Sequence, residues 1–216
     1  MIKIALPKGD IQGAVKDYLA ARGIDFSGYG RDIRAYASDA RGARDIFSKQ
    51  FRERDIPIQV SIGNYDLGLC GSHWVAEHLA QYPRAEIMNL RTLDIPAGFV
   101  CVCCAASEPD GPTDELLKRM AARGLLRIAT PFPGLAEEFA LRERLPDFRI
   151  FPLWGAAEAY PPEGAELALI SMADESFAEE NGLRIVERLI AAHVSLIANR
   201  SLFERKDLTP VLEKLV

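Results

Sequence analysis

Three turns in this chain place charged or hydroxylated side chains where a strand gives way to a helix. The first is Pro7-Lys8-Gly9, between the apolar run Ile2-Lys3-Ile4-Ala5-Leu6 and a helical pattern over residues 11–22. A lysine beside a helix start favours phosphate, because its ammonium and the unpaired N–H groups of the first turn attract the same anion. Asp10 follows directly and is expected to cap that helix and repel an anion. The second turn is Gly71-Ser72, after the buried run Leu67-Gly68-Leu69-Cys70, with His73 in reach of a ligand. The third is Ser171-Met172-Ala173-Asp174-Glu175-Ser176, after Leu167-Ala168-Leu169-Ile170. Here the chemistry is reversed: Asp174 and Glu175 would satisfy a helix start with carboxylates, and Ser176 with Glu179 three residues on reads as a capping box. A phosphate would meet like charges there, at a cost of a few kcal/mol in a partly enclosed site.

Other reactive side chains are scattered. Cys70, Cys101, Cys103 and Cys104 show no paired CxxC spacing, and three of them lie in the apolar run Phe99-Val100-Cys101-Val102-Cys103-Cys104. They read as buried, reduced cysteines of a strand. His78 and His193 fall in apolar patterns that suit core or surface roles. No residue pair stands out as a general acid and base, and no protein metal-ligand set is evident.

The elements that must position these turns alternate. Asp55 is expected to cap a short helix that carries Pro57 in its first turn, with Arg52 in a polar turn before it. Helices are expected at 74–79, at 114–123 behind a Thr113 cap, and at 135–145; strands at 86–90, 99–104, 125–129 and 148–153. Ile33-Arg34-Ala35-Tyr36 is a further possible strand after the Gly28-Tyr29-Gly30-Arg31 turn. Residues 184–189 and 193–198 read as two return strands before a closing helix. Such alternation indicates an α/β sheet in each of two lobes, 1–93 plus 184–216 and 94–183, with two crossovers and a ligand cleft between them. Glu158 lies in the turn after the 148–153 strand and, with Lys8, Arg52 and Gly71, is expected to line that cleft.

Composition bounds the partners. A chain of 216 residues, 49% hydrophobic and 26% charged, can bury a sizeable core. A net charge of -5 argues against a generic nucleic-acid or anionic-membrane surface. No apolar run approaches a membrane span and no leader pattern is visible, so a cytoplasmic location is expected.

Arg52-x-x-Asp55-Ile56-Pro57 followed by Asp66-Leu67-Gly68-x-x-Gly71 resembles the core signature of the ATP phosphoribosyltransferase family, the first enzymes of histidine biosynthesis. Leu6-Pro7-Lys8-Gly9 and Arg127-Ile128-Ala129-Thr130 match in order and spacing. The resemblance implies a bilobal fold like type II periplasmic binding proteins and transfer of phosphoribosyl from phosphoribosyl pyrophosphate to ATP with Mg²⁺. It also implies the short form, which works with a separate regulatory subunit. It assigns Lys8, Gly9, Arg31, Arg52, Gly71, Ser72, Glu158 and the loop Ser171, Asp174, Glu175, Ser176 to substrate binding, with Arg34 competing with Arg31. The departures sit on the phosphate-handling positions: Asp174-Glu175-Ser176-Phe177 replaces a Thr-Gly-rich loop, Ile170 an acidic residue, and Pro131 a lysine. Three readings follow: the transferase, a paralogue that binds a less anionic ligand or serves assembly, and a bilobal binding protein outside the family. A homodimer or a hetero-oligomer is expected, with the cysteine strand and the aromatic residues Phe132, Trp154 and Tyr160 as surfaces needing cover.

Overall fold

The computed structural model describes residues 1–26, 28–30, 37–41 and 46–215. The expected strand at Ile33-Arg34-Ala35-Tyr36 and the site candidate Arg31 lie outside the described residues. The chain divides into two compact units, Met1–Ala97 with His193–Val216, and Gly98–Ala192.

The first unit opens with β1 (Ile2–Lys8), α1 (Gln12–Ala20), β2 (Asp25–Phe26), β3 (Ala37–Arg41) and β4 (Ile46–Arg52). It continues through α2 (Asp55–Ser61), β5 (Leu67–Gly71) and α3 (Ser72–Gln81) into the start of β6 (Ile87–Ala105). The second unit holds the rest of β6, then α4 (Thr113–Ala121), β7 (Leu126–Thr130), α5 (Pro133–Arg142), β8 (Phe148–Pro152), β9 (Leu167–Met172) and α6 (Ser176–Glu180). β10 (Leu183–Asn199) brings the chain back to the first unit, which α7 (Arg200–Arg205) and α8 (Thr209–Leu215) complete. Each crossover is thus one long strand. The two return strands expected at 184–189 and 193–198 are a single strand, and the 86–90 and cysteine strands are likewise continuous as β6. Side-chain patterning changes along these strands because burial differs in each unit, and the change hides their continuity.

In the first unit the strand order is β2-β3-β4-β1-β5-β10. β1 runs parallel to β4 and to β5, so their carboxyl ends share one edge. Its core contains Ile4, Leu6, Val15, Leu19, Leu67, Leu69 and Leu196, all at most 1% exposed. Each such side chain contributes about 1.5–3 kcal/mol by leaving water. On the other face α2 packs Ile56 and Val60 onto β5. That packing requires a glycine: a Cβ at Gly68 would lie 2.6 Å from Ile56 Cγ2 and 2.9 Å from Val60 Cγ2. Asp66 next to it is buried, and its Oδ2 accepts from the Lys3 amide at 2.7 Å and from Lys206 Nζ.

In the second unit the order is β6-β9-β7-β8. β7 is parallel to β8 and β9, and β6 is antiparallel to β9. Arg127 grips Glu166 as a fork, with Nη2 to Oε1 at 2.6 Å and the backbone N–H to Oε2 at 2.7 Å. Thr130 is fully buried, donating to the Leu169 carbonyl at 2.6 Å and accepting from the Phe132 amide at 2.8 Å. The termini of Arg127-Ile128-Ala129-Thr130 therefore tie strand to loop.

Several local expectations are corrected. Asp55 is the first helical residue of α2 and makes no side-chain cap, Arg54 holding the N-cap position. Thr113 opens α4 rather than capping it, and its hydroxyl donates to the Val186 carbonyl. Arg52 ends β4 instead of lying in a turn. The cysteines of β6 and Phe132 are 0% exposed and offer no surface needing cover; exposed apolar side chains occur at Trp154 and, in the first unit, at Ile58, Ile62 and Tyr82.

Candidate functional site

Lys8 and Arg52 are partners in the parallel register of β1 and β4, each the last residue of its strand, and both are exposed. Two cations held side by side at a carboxyl strand edge suit an anionic ligand. Gly9 follows Lys8 with φ +130° and α1 begins three residues later. Asp10 does not cap that helix: the N-cap residue is Ile11, which makes no side-chain cap. Tyr29 braces the same edge from beneath, its hydroxyl donating to the Pro7 carbonyl at 3.0 Å.

Gly71 ends β5 and is the N-cap of α3. A Cβ there would come within 2.4 Å of His73 Cε1 and 3.2 Å of Glu53 Oε2, so the backbone turn is pressed against both side chains. Ser72 turns inward to accept the His193 N–H at 3.2 Å. His73 is buried rather than presented to a ligand, and burial lowers its pKa to about 4, which keeps the ring neutral at pH 7. His78 lies within hydrogen-bond distance of Ser61 Oγ, at 3.1 Å.

Glu53 carries no assigned role in the sequence reading, yet it joins this edge together. Its carboxylate accepts the Gly71 N–H at 3.2 Å and is also hydrogen-bonded by the Ile11 amide, so one side chain links the ends of β4 and β5 to the start of α1. Burial pushes its pKa up to about 7; the Gly71 amide opposes this, Asp10 adds to it and the Ile11 amide again opposes. The signal available in the sequence was an acidic residue directly after a strand-ending arginine.

The second unit presents its own strand edge. Ser171 lies near the end of β9, and Ala173, Asp174, Glu175 and Ser176 are exposed beyond it. Asp174 Oδ1 accepts the Ser176 N–H at 3.0 Å and also the Ser176 hydroxyl. Those bonds hold the Asp174 carboxyl below its usual range. The expected capping box is thus replaced: Asp174 bonds the turn, and Glu175 occupies the N-cap position without a side-chain cap. Glu175 is ion-paired with Arg188, whose guanidinium also lies 4.7 Å over the Phe99 ring. Glu158 sits in a 3-10 turn, Ala157–Ala159, beyond the carboxyl end of β8. Lys8, Gly9, Arg52, Gly71 and Ser72 are therefore gathered in the first unit, and Glu158, Ser171, Asp174, Glu175 and Ser176 in the second. Among the described residues no three His, Cys, Asp or Glu side chains converge to hold a metal ion, and no helix is long and apolar enough to cross a membrane.

Comparison with known proteins bears on the fold and the family. The family model described as HisG, ATP phosphoribosyltransferase, matches residues 52–216. An ATP phosphoribosyltransferase of Caldicellulosiruptor bescii is 30% identical, the match covering 100% of this chain and 99% of that protein. That of Desulfatibacillum aliphaticivorans is 27% identical over 94% of this chain, which spans 66% of that protein's length. Among solved structures, the ATP phosphoribosyl transferase (HisG:HisZ) complex from Thermotoga maritima aligns with a TM-score of 0.77 at 22% identity, covering 100% of this chain and 96% of that one. The alkanesulfonate-binding protein SsuA from Xanthomonas axonopodis pv. citri aligns with a TM-score of 0.57 at 13% identity, covering 99% and 71%. These likenesses carry the type II two-lobed binding-protein fold. Matched by the family model from Arg52 onward and by a relative from end to end, the chain belongs to the ATP phosphoribosyltransferase family.

Proposed function

We propose that the chain transfers the phosphoribosyl group of phosphoribosyl pyrophosphate to ATP, the first step of histidine biosynthesis. The observation that carries this reading is the register pair Lys8 and Arg52, on a strand edge whose turns keep the family's glycines. In the reaction a ring nitrogen of ATP forms the bond to the anomeric carbon as the carbon–oxygen bond to pyrophosphate breaks, and pyrophosphate leaves with that electron pair. The protein's share is orientation and charge: cations at the first edge hold phosphate, and the backbone of residues 171–177 receives the pyrophosphate. Mg²⁺ enters as part of the pyrophosphate-bearing substrate. Asp174 and Glu175 are engaged by Ser176 and Arg188, so these carboxylates do not form a metal cage. We further propose that the chain assembles with a regulatory subunit, as the Thermotoga maritima neighbour is a complex.

One observation favours a second reading, a paralogue with a less anionic ligand. Glu175 already neutralises Arg188, and Asp174 already satisfies the turn at Ser176, so pyrophosphate must displace a resident carboxylate there. Titration calorimetry of the folded chain with phosphoribosyl pyrophosphate and Mg²⁺, with and without its partner subunit, separates the two. Saturable heat, followed by pyrophosphate release when ATP is added, supports the transferase. No heat in either preparation overturns it and leaves the paralogue.

A further inference from the structure

The second unit buries three sulfur atoms on one face of its sheet. Cys101 and Cys103 project to the same side of β6, as residues two apart on a strand must, and their Sγ atoms are 3.5 Å apart. Phe99 is paired with Met172 across the antiparallel β6–β9 ladder, which sets Met172 diagonally next to Cys101. The Cys101 thiol donates toward Met172 Sδ at 3.9 Å. Both cysteines are 0% exposed and Met172 is 6% exposed. The surrounding core is built largely from small side chains, Ala129, Ala157, Ala165, Ala168 and Ala178.

Two chemistries could use such a pair of thiols, and strand geometry separates them. A disulfide requires Cβ atoms about 3.8 Å apart. Residues two apart on an extended strand are separated by roughly 6.6 Å, so a Cys101–Cys103 bond would have to break the β6 ladder. A metal bridge does not: bonds of about 2.3 Å put two sulfurs on one ion roughly 3.7–4.6 Å apart, about 0.2–1.1 Å wider than the spacing already present, a change that side-chain rotation can supply. Two thiols and a thioether are soft donors, which select copper(I) over magnesium or calcium. Zinc would need a fourth donor, and no third His, Cys, Asp or Glu joins the two cysteines among the described residues.

We propose that Cys101, Cys103 and Met172 form a binding site for one copper(I) ion. Binding replaces two S–H protons, released to solvent, with two copper–sulfur bonds, and the Met172 thioether adds a third without proton loss. The product carries one net negative charge. The cation nearby is Arg188, which is itself ion-paired with Glu175. The Met172 end of the cluster lies nearest solvent, since Met172 is the last residue of β9, Ala173 beyond it is exposed and Phe99 is only partly buried. Cys104 points to the opposite face of β6, and Cys70 lies in the other unit.

Anaerobic titration of the whole chain with copper(I), in competition with a chromogenic chelator such as bicinchoninate, tests the site. The expected result is one retained copper per chain. Cys101→Ala and Cys103→Ala should each weaken retention by at least about 100-fold, the upper end of what losing a mere outer-shell partner costs, and Met172→Leu by less. Cys104→Ala and Cys70→Ala should retain copper as the native chain does. No copper retained by the native protein, or undiminished retention in the folded double variant Cys101→Ala/Cys103→Ala, overturns the proposal. Should the cysteine variants fail to fold, X-ray absorption on the copper-loaded native chain decides: sulfur-only coordination supports the site, and nitrogen or oxygen ligands overturn it.

Discussion

The two strand edges that carry the site candidates solve the same geometric problem with opposite charges. In the first unit Lys8 and Arg52 stand side by side, and the half-buried carboxylate next to them, Glu53, points at backbone amides of Gly71 and Ile11. In the second unit the exposed turn supplies its own anions: Asp174 bonds Ser176 and Glu175 pairs with Arg188. One edge carries cations, whereas the other carries carboxylates already bonded within its own unit. The family's packing signatures survive in both, at Asp66, Gly68, Arg127 and Thr130. Architecture and chemistry have thus been retained separately, because packing residues answer to the core and loop residues to a ligand.

The first way to break the comparison is to attack the packing itself. Gly68→Val places methyl groups where Ile56 and Val60 already sit, and it should cost about 3 kcal/mol, a fall in Tm of roughly 6–12 °C by calorimetry. A Tm within a degree or two of the native value would mean that α2 does not rest on β5 through this glycine.

Glu53 gives a pH test of the first edge. Its folded pKa of about 7 lies above that of an unfolded glutamate, so the native state holds its proton longer. That contribution is fully present below about pH 4.5 and is lost as pH rises through 7. Glu53→Gln should therefore be more stable than the native chain at pH 8 relative to pH 4.5, by on the order of 1–3 kcal/mol in urea melts. His73 acts in the other direction: its folded pKa of about 4 is depressed, so its contribution is present above pH 6.5 and lost as pH falls through 4. Subtracting the Glu53→Gln profile from the native one isolates Glu53. Parallel profiles would show that the carboxylate is solvated.

The second edge is sharpened by removing its anions. Asp174→Thr with Glu175→Gly frees Arg188 and the turn, and should strengthen pyrophosphate binding by about tenfold in calorimetry, equivalent to roughly 1.4 kcal/mol. Unchanged affinity would show that these carboxylates do not compete with the ligand. The smallest effect is expected at Arg127, whose fork to Glu166 is partly solvent-exposed. Arg127→Met should lower stability by about 1 kcal/mol and leave ligand binding unaltered. A loss of binding with native stability would move Arg127 from packing into the site.

The sequence by itself determined the alternation of elements and most of the turns between them, because apolar runs of strand length and helical periodicity are local signals. It also exposed where this chain departs from its family, since Asp174, Glu175 and Pro131 are legible as residue types. Capping was less legible: Asp10, Asp55, Thr113 and Ser176 are all residues that favour caps, but where each helix starts depends on packing that a local pattern does not contain. Only the tertiary structure decided that β6 and β10 are continuous, that Lys8 and Arg52 share a register, and that Glu53 reaches across to Gly71 and Ile11. Those facts join residues far apart in the chain, and their energies come from hydrogen bonds and burial that exist only after the strands have paired.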